Sequence, residues 1–231
     1  MIIVVTGAFG FIGSNLVRAL NKKGYTDIIA VDDLTDGRKI KNLADCEILD
    51  FVDKKDFIQA IASGDYDNQI DYILHQGACT DTTLQDGKYM LKNNYEYSSV
   101  LLEYTQKNEI PLVYASSAAV YGANESFIEG REFELPLNVY GYSKFLFDQL
   151  VRRHFKSGLT APVVGLRYFN VYGNGEAHKG RMSSVVLHNF NEYQATGKVK
   201  LFEGCQGYAS GEQLRDFIAV MLYKFILINI N

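Results

Sequence analysis

A glycine-rich segment directly after the first hydrophobic run narrows the range of folds open to this chain. The run Ile2–Val5 leads through Thr6 into Gly7, Gly10 and Gly13, and a helical pattern follows. This spacing lets the backbone turn tightly, approach a pyrophosphate and pack the helix against the strand. The N-terminus of the helix then offers free N–H groups to the phosphates. The segment predicts a dinucleotide-binding unit; a glycine-rich turn without a ligand is the alternative.

Short hydrophobic runs alternate with helical patterns along most of the chain. Runs that are apolar at nearly every position suit strands buried on both faces, as in a parallel sheet. We therefore predict an α/β fold with a doubly wound parallel sheet and right-handed crossovers. The predicted strands are Ile2–Val5, Ile28–Val31, Ile70–Leu74, Leu112–Ala115 and Val163–Leu166, and the predicted helices are Ser14–Lys23, Lys55–Ala62, Lys88–Lys107 and Tyr140–Phe155. After Leu166 the pattern loosens into a helical stretch, Ser183–Thr196, and a short apolar run, Val199–Phe202.

Composition excludes several classes of partner. The 231 residues include 23 basic and 27 acidic side chains, giving a net charge of −4 without any basic block, so we expect no nucleic-acid partner. Cys46, Cys79 and Cys205 are widely spaced, which predicts neither a disulfide framework nor a metal site. The hydrophobic N-terminus lacks the basic stretch of a signal peptide, and Phe217–Ile230 is shorter than the ~20 residues of a membrane helix. We expect a cytoplasmic protein that binds no membrane.

An acidic residue follows the second predicted strand. Asp32 stands nineteen residues after Gly13, which suits a carboxylate that binds an adenosine ribose. Asp32 would repel a 2′-phosphate, whereas Arg38 and Lys39 nearby would attract one. From these residues alone the choice between NAD and NADP stays open.

A tyrosine–lysine pair, and a serine before it in the sequence, predict acid/base chemistry. Tyr140 and Lys144 stand four residues apart on a predicted helix, so the phenol and the ammonium share one face. A nearby cation favours the phenolate, and we expect Lys144 to lower the pKa of Tyr140. Ser117 ends the fourth predicted strand, at the edge where parallel sheets bind ligands. An exposed helix pair and a strand-end turn serine are the alternatives.

Together these positions resemble the extended short-chain dehydrogenase/reductase superfamily. Longer strings are similar to the ADP-L-glycero-D-manno-heptose 6-epimerase family over roughly residues 1 to 217. They are His75-Gln76-Gly77-Ala78-Cys79, Asp86-Gly87-Lys88-Tyr89-Met90, Asn93-Asn94-Tyr95, Pro136 to Asp148 and Arg167-Tyr168-Phe169-Asn170-Val171-Tyr172-Gly173.

The resemblance implies a Rossmann sheet, a tightly held NADP and inversion at C6 of an ADP-heptose during lipopolysaccharide core precursor synthesis. Hydride leaves C6, giving a transient 6-keto sugar, and returns to the opposite face. Two acid/base residues are implied, Tyr140 and the lysine of His178-Lys179-Gly180, with Ser117 and Lys144 as orienting residues. A homo-oligomer is also implied.

The resemblance further implies two sets of binding residues. The cofactor set, taken with the glycine loop, is Gly7, Gly10, Phe11, Ile12, Gly13, Asp32, Asp33, Lys39, Lys54, Gln76, Gly77, Ala78, Cys79, Thr80, Asn93, Lys144, Val171 and Lys179. The substrate set is Asn170, Lys179, Arg181, His188, Phe202, Glu203, Gly204, Cys205 and Arg215.

The chain also differs from related patterns. Sugar-nucleotide dehydratases carry an acidic pair directly after the serine or threonine, where this chain has Ala118 and Ala119, so dehydration is disfavoured. A UDP-sugar 4-epimerase fits the superfamily but not the His-Lys-Gly string. Within the 6-epimerase family the loop after the threonine usually reads Gly-Gly-Ala-Gly, where this chain has Gly7-Ala8-Phe9-Gly10. An asparagine is usual at Asp33 and a glutamate at Gln76. The acid at Asp33 weighs against a 2′-phosphate.

The end of the chain departs furthest from the family. We predict an NADP-binding Rossmann domain over residues 1–168, a smaller, partial substrate-binding lobe over 169–217 and an aberrant tail over 218–231. The tail is rich in Ile, Asn, Phe and Lys, as out-of-frame translation of AT-rich DNA would give. A frameshift or premature stop is the hypothesis, and a catalytically inactive dinucleotide-binding remnant is therefore the alternative to an active epimerase.

Overall fold

A parallel sheet dominates the computed structural model, which describes residues 1–124, 126–205 and 207–221. Its six strands are β1 (Ile3–Thr6), β2 (Ile28–Asp32), β3 (Asp50–Asp53), β4 (Tyr72–His75), β5 (Leu112–Ser117) and β6 (Val163–Tyr168). Their order in the sheet is β3-β2-β1-β4-β5-β6, and every neighbouring pair is parallel. The predicted doubly wound α/β fold is confirmed, and the strand order is that of a Rossmann sheet.

The helices match the predicted pattern with one interruption. They are α1 (Phe11–Asn21), α2 (Lys54–Ser63), α3 (Gly87–Leu91), α4 (Tyr97–Lys107), α5 (Val139–Ser157) and α6 (Val185–Thr196). The single helix expected over Lys88–Lys107 is divided, because a π-helical segment, Lys92–Glu96, separates α3 from α4. Such wider turns are frequent at functional sites.

Residues 1–168 and 169–231 form two compact units. In the first, β1 and β2 are buried at every position, as expected of central strands, and Phe57, Leu101, Leu102 and Phe147 from the helices pack into the core. In the second, β7 (Asn170–Tyr172) pairs in parallel with β8 (Phe217–Ala219), so the first two residues of the predicted tail continue a strand.

One strand was missed in the sequence, and one apolar run forms no strand. The edge strand β3 was missed, because its sequence Asp-Phe-Val-Asp has only two apolar residues between acids and Phe51 is exposed. The apolar run Val199–Phe202 forms no strand, since its side chains lie largely in solvent and gain no partner strand among the described residues. Apolar content without burial does not make a strand.

Two structural findings concern membrane helices and metal ligands. Within the described ranges, no helix is long and apolar enough to cross a membrane. The described His, Cys, Asp and Glu side chains form no group that would hold a metal ion. Residues 222–231, most of the predicted tail, lie outside the described residues.

A buried histidine links the two central strands. His75, at the end of β4, has its Nδ1 2.6 Å from Thr6 Oγ1 and its Nε2 2.8 Å from Ser98 Oγ. Ser98 donates to the Asn94 carbonyl at 2.5 Å, so it accepts from the imidazole, and the proton therefore resides on Nε2. Thr6 donates to Nδ1 and accepts from Gly77 N at 3.0 Å. The arrangement requires a neutral ring, and burial followed by the charge of Lys144 lowers the pKa of His75 to about 3.

His75 should therefore make the fold sensitive to acid. Between the ordinary pKa of 6.5 and the folded value of about 3, the unfolded chain binds the extra proton, so stability falls as pH falls. The difference in free energy of unfolding between the wild type and His75→Gln should shrink by about 1.4 kcal/mol per pH unit from about pH 6 to about pH 5. Urea unfolding at each pH measures it, with His154→Gln as the control for loss of an imidazole. A constant difference would contradict the neutral assignment.

Candidate active site

The glycine loop forms a tight backbone cradle at the centre of the sheet. Gly7 has a φ of +65°, and a Cβ there would lie 2.8 Å from Gly77 Cα. A Cβ at Gly13 would lie 2.1 Å from the Gly7 carbonyl oxygen. The loop ends at Gly10, and α1 begins at Phe11 with its first N–H groups at the carboxyl ends of β1 and β4. This is where the strand order reverses, so the cradle fits the pyrophosphate of a dinucleotide.

Phe9 adapts the loop to the neighbouring strand. Its ring is buried and packs edge-on against Phe51 of β3 with 5.6 Å between ring centroids. Its backbone N–H donates to Asp32 Oδ2 at 2.8 Å. The bulk that replaces the usual alanine therefore lies against β3.

Two acids and two lysines are paired at the end of β2. Lys39 Nζ lies 2.8 Å from Asp32 Oδ1 and donates to the Asp33 carbonyl at 2.8 Å. Lys54, at the start of α2, lies 3.0 Å from Asp33 Oδ2 and 3.4 Å from Asn93 Oδ1. Hydrogen bonds from Thr35, then Lys54, hold the pKa of Asp33 well below its usual range. Both carboxylates are thus matched by an ammonium.

Arg38, the other cation considered for a 2′-phosphate, is engaged elsewhere. Its guanidinium pairs with Asp36 at 2.8 Å on an exposed surface. Lys39 therefore lies at Asp32 and Asp33, whereas Arg38 pairs with Asp36.

A buried asparagine fixes the loop after β4, which contains Gln76–Thr80. Asn94 Oδ1 accepts from Cys79 N at 2.7 Å, and Asn94 Nδ2 donates to Cys79 O at 3.0 Å and to Ser143 Oγ at 3.1 Å. Sequence reasoning assigned no role to this residue, and its position in the π-helical segment depends on packing that no local pattern reveals. Gln76 accepts from the Tyr168 hydroxyl at 3.0 Å, while its buried Nε2 has no hydrogen-bond partner among the described residues.

The three proposed acid/base and orienting residues of the first unit converge on the end of β5. The Ser117 hydroxyl hydrogen-bonds to the Tyr140 phenol and also accepts from Ala119 N at 3.1 Å. Lys144 is buried on α5, and its Nζ donates to the Ala115 carbonyl at 2.8 Å. The Asn138 side chain caps α5 by accepting from Gly141 N at 2.7 Å, which fixes the helix start beside Tyr140.

The expectation that Lys144 lowers the pKa of Tyr140 is wrong. Burial raises the pKa of the Tyr140 phenol, the hydrogen bond with Ser117 only partly opposes the rise, and the nearby Cys79 adds to it. Burial also lowers the pKa of Lys144 to about 8, against the opposing charge of Asp148. The physical reason is that the Lys144 ammonium is directed to a backbone carbonyl, whereas desolvation disfavours the phenolate.

The second unit contains Lys179 in a 3₁₀ segment, Ala177–Met182. Glu176 is buried and organises this segment: it accepts from Gly173 N at 3.0 Å and from the Ser184 hydroxyl at 2.9 Å, at the start of α6. Burial lowers the pKa of Lys179, and the charge of Glu176 opposes that shift.

The remaining residues implied by the resemblance are also in the second unit. Asn170 and Val171 belong to β7, and Asn170 donates to the Asp216 carbonyl at 2.8 Å. The side chain of His188 on α6 lies 3.3 Å from the Arg181 carbonyl. The exposed members of the substrate set are Asn170, Arg181, His188, Phe202, Glu203, Gly204, Cys205 and Arg215.

Known proteins resemble this chain over nearly its whole length. A curated relative, the ADP-L-glycero-D-manno-heptose-6-epimerase of Thiobacillus denitrificans, is 58% identical over 217 residues, which cover 94% of this chain and 65% of the relative. The chain thus spans slightly less than two thirds of the length of that relative.

Solved structures give the same picture. The ADP-L-glycero-D-manno-heptose-6-epimerase of Helicobacter pylori is 33% identical with a TM-score of 0.81, over 94% of this chain and 69% of the other. A UDP-N-acetylglucosamine 4-epimerase of Methanobrevibacter ruminantium is 27% identical with a TM-score of 0.79, over 97% and 70%. A UDP-glucuronic acid 4-epimerase of Bacillus cereus, solved with NAD, is 26% identical with a TM-score of 0.75, over 95% and 70%.

The family match ends at residue 221, slightly beyond residue 217, where the resemblance found in the sequence ended. Residues 3–221 match the NAD dependent epimerase/dehydratase family, and this chain belongs to that family.

Proposed function

We propose that the protein is an epimerase that inverts C6 of the heptose in ADP-D-glycero-D-manno-heptose, giving the L-glycero isomer for lipopolysaccharide core precursors. The observation that carries the proposal is the 58% identity over 217 residues to an enzyme of that name. The two 4-epimerase structures described above are only 27 and 26% identical. Cytoplasmic location and assembly into a homo-oligomer belong to the same proposal.

NADP is the proposed cofactor, and NAD is the alternative. The glycine cradle fits the pyrophosphate, since a Cβ at Gly7 or Gly13 would fill it. Asp32 and Asp33 would repel a 2′-phosphate if unpaired, but Lys39 and Lys54 neutralise them at 2.8 and 3.0 Å. Lys39 already donates to Asp32 and to the Asp33 carbonyl, and one of its three N–H donors is left for a phosphate oxygen. When bound, the cofactor accepts a hydride from C6 and returns it.

Tyr140 is the proposed acid/base on one face of the sugar. Because burial raises its pKa, the neutral phenol is favoured and can donate a proton to the oxygen of the 6-keto sugar. Ser117 orients that oxygen and the phenol, and Lys144 orients the nicotinamide ribose. In the opposite direction, the phenolate left by that transfer takes the proton back from the C6 hydroxyl.

Lys179 is the proposed second acid/base. Inversion requires the keto sugar to present its opposite face to the same hydride donor, which moves the carbonyl oxygen away from Tyr140. A desolvated lysine with a lowered pKa releases its proton more readily than an exposed lysine and can take it back. Glu176 limits the lowering, so that the amine can still be recharged.

A catalytically inactive dinucleotide-binding protein is the second candidate, since the glycine cradle belongs to a compact unit, residues 1–168, that has a core of its own. The deciding experiment incubates the 231-residue chain with ADP-D-glycero-D-manno-heptose and, separately, with UDP-glucose, and measures dinucleotide binding in parallel. Turnover of the ADP-heptose alone supports the proposal. Turnover of UDP-glucose alone would replace it with a 4-epimerase, and binding without turnover would leave the inactive protein.

The first prediction concerns Tyr140. Tyr140→Phe should reduce epimerisation by about 10²–10⁴-fold, because the phenol transfers the proton and the ring supplies only packing. Cofactor binding should persist. Tyr142→Phe, two residues along α5 and largely exposed, is the matched control and should keep full activity. Undiminished turnover by Tyr140→Phe would refute the assignment.

The second prediction concerns cofactor choice. Lys39→Ala should weaken NADP by about tenfold or more, since a charge-assisted contact to the 2′-phosphate is lost and Asp32 becomes unpaired. NAD should be affected less, because the freed carboxylate can accept from the 2′-hydroxyl. Calorimetric titration of both dinucleotides measures the ratio, with Lys107→Ala as the control. Equal losses would show that Lys39 does not contact the 2′-phosphate.

The third prediction concerns Lys179. Lys179→Met should spare hydride transfer from one C6 stereoisomer and impair it from the other, because only one orientation depends on the second acid/base. Single-turnover reduction of bound cofactor by each stereoisomer measures this in a chain extended to the length of the relatives. Lys198→Met, an exposed lysine in the same unit, is the control. Equal rates from both stereoisomers would refute the two-base mechanism.

A further inference from the structure

The carboxylate of Asp148 joins α5, the helix of Tyr140 and Lys144, to β5, the strand that ends at Ser117. Asp148 stands one helical turn after Lys144 on α5 and is almost fully buried. Its Oδ1 accepts from the Tyr114 hydroxyl at 2.9 Å, and its Oδ2 accepts from Ser116 Oγ at 2.9 Å. Both donors are on β5, on either side of Ala115, whose carbonyl accepts from Lys144. Two successive turns of α5 are thus fixed to three successive residues of β5.

The neighbouring strand is shaped to allow this contact. A Cβ at Gly165 of β6 would lie 2.4 Å from the Tyr114 hydroxyl oxygen, so a side chain there would displace the phenol from Asp148. The Tyr114 ring also packs edge-on against Phe147, with 4.7 Å between centroids. The position of the phenol is therefore determined from two sides.

Arginines balance the buried charge. Arg167 Nη2 lies 3.4 Å from Asp148 Oδ2 and also pairs with Glu134, which Arg152 contacts through Nη1 at 2.8 Å. The group thus contains two carboxylates and two guanidinium groups. Burial raises the pKa of Asp148, but its oxygens accept from Tyr114, Ser116 and Arg167, the pattern of an ionised carboxylate.

We infer that Asp148 is a positioning residue that keeps Lys144 charged and holds it at the end of β5. The inference deepens the proposed function and rests on it for the role of Lys144, but it concerns contacts that exist without substrate. Lys144 is desolvated and would otherwise lose its proton near neutral pH, and Asp148 is the carboxylate whose charge opposes that loss.

Other groups facing Lys144 do not substitute for Asp148. His75 of β4 is neutral in its hydrogen-bond network and supplies no negative charge. From β5, Lys144 contacts the Ala115 carbonyl, which accepts a hydrogen bond but has no net charge. On α5 itself, Tyr140 one turn earlier is held in its neutral form by burial. Removal of the Asp148 charge should therefore lower the pKa of Lys144 further below about 8.

The test titrates Lys144 directly in the 231-residue chain. The Lys144 13Cε resonance is followed against pH by NMR and assigned by its loss in Lys144→Arg. Asp148→Asn keeps the shape and should lower the pKa of Lys144 by about one unit or more, as loss of a nearby opposite charge does. If the chain turns over the ADP-heptose, the alkaline limb of its pH–rate profile should move down by the same amount.

Matched variants separate charge from packing. Ser116→Ala removes one hydrogen bond to Asp148 but keeps its charge, so the pKa of Lys144 should hold. Asp67→Asn removes an acid paired with Lys107, away from α5, and should also leave that pKa unchanged. If Asp148→Asn alone does not fold, the double variant Asp148→Asn/Arg152→Met replaces it, because it retains one buried acid and one arginine. The Lys144 pKa of the double variant is then compared with that of Arg152→Met alone.

Two results would overturn the inference. An unchanged Lys144 pKa in the Asp148 variants would show that the carboxylate does not maintain the ammonium. An equal fall in Ser116→Ala would show that loosened packing, rather than charge, sets the pKa. Both of these results are NMR titrations of Lys144 and do not depend on turnover. Absence of epimerase activity would therefore refute the proposed function without affecting them.

Discussion

The close backbone contact between the loops after β1 and β4 is the constraint on which the rest of the site depends. Gly7 and Gly77 approach so closely that a Cβ on Gly7 would lie 2.8 Å from Gly77 Cα. Thr6 joins the same two loops by accepting from Gly77 N and contacting His75. Because β1 and β4 flank the reversal of strand order, this contact places the cradle at the start of α1 and the loop of Cys79 at one edge.

Charge at this edge is balanced locally before any ligand binds. Asp32 and Asp33 each have a lysine within 3.0 Å. Asp148 and Glu134 share the guanidinium of Arg167. Buried or half-buried carboxylates are costly unless paired, so these lysines and arginines are needed for folding as well as for binding. The choice between NAD and NADP then depends on whether Lys39 has donors to spare, rather than on the number of acids present.

The sequence predicted what local patterns determine. Buried strands, the glycine loop and the Tyr140/Lys144 pair follow from residue spacing, and the structure places five of its six sheet strands where apolar runs occur. The edge strand β3 and the π-helical segment at Asn94 depend on neighbours distant in sequence, and no periodicity signals them. The sign of the Tyr140 pKa shift also failed, because the spacing of Tyr140 and Lys144 reveals the cation but not the desolvation that outweighs it.

The distribution of residues between the two units separates the chemistry into two steps with different requirements. The cradle, the acid–lysine pairs, Ser117, Tyr140 and Lys144 all belong to residues 1–168, which have their own core. Under the proposed function, dinucleotide binding and proton transfer at one face depend mainly on contacts within that unit, and of the cofactor set only Val171 and Lys179 belong to the other unit. Lys179 and the residues proposed to hold the ADP-sugar belong to residues 169–231, where Glu176 is the main buried acid that orders the Lys179 segment. Oxidation of a sugar and its inversion are thus expected to respond to different substitutions, because only inversion requires a second proton-transfer group.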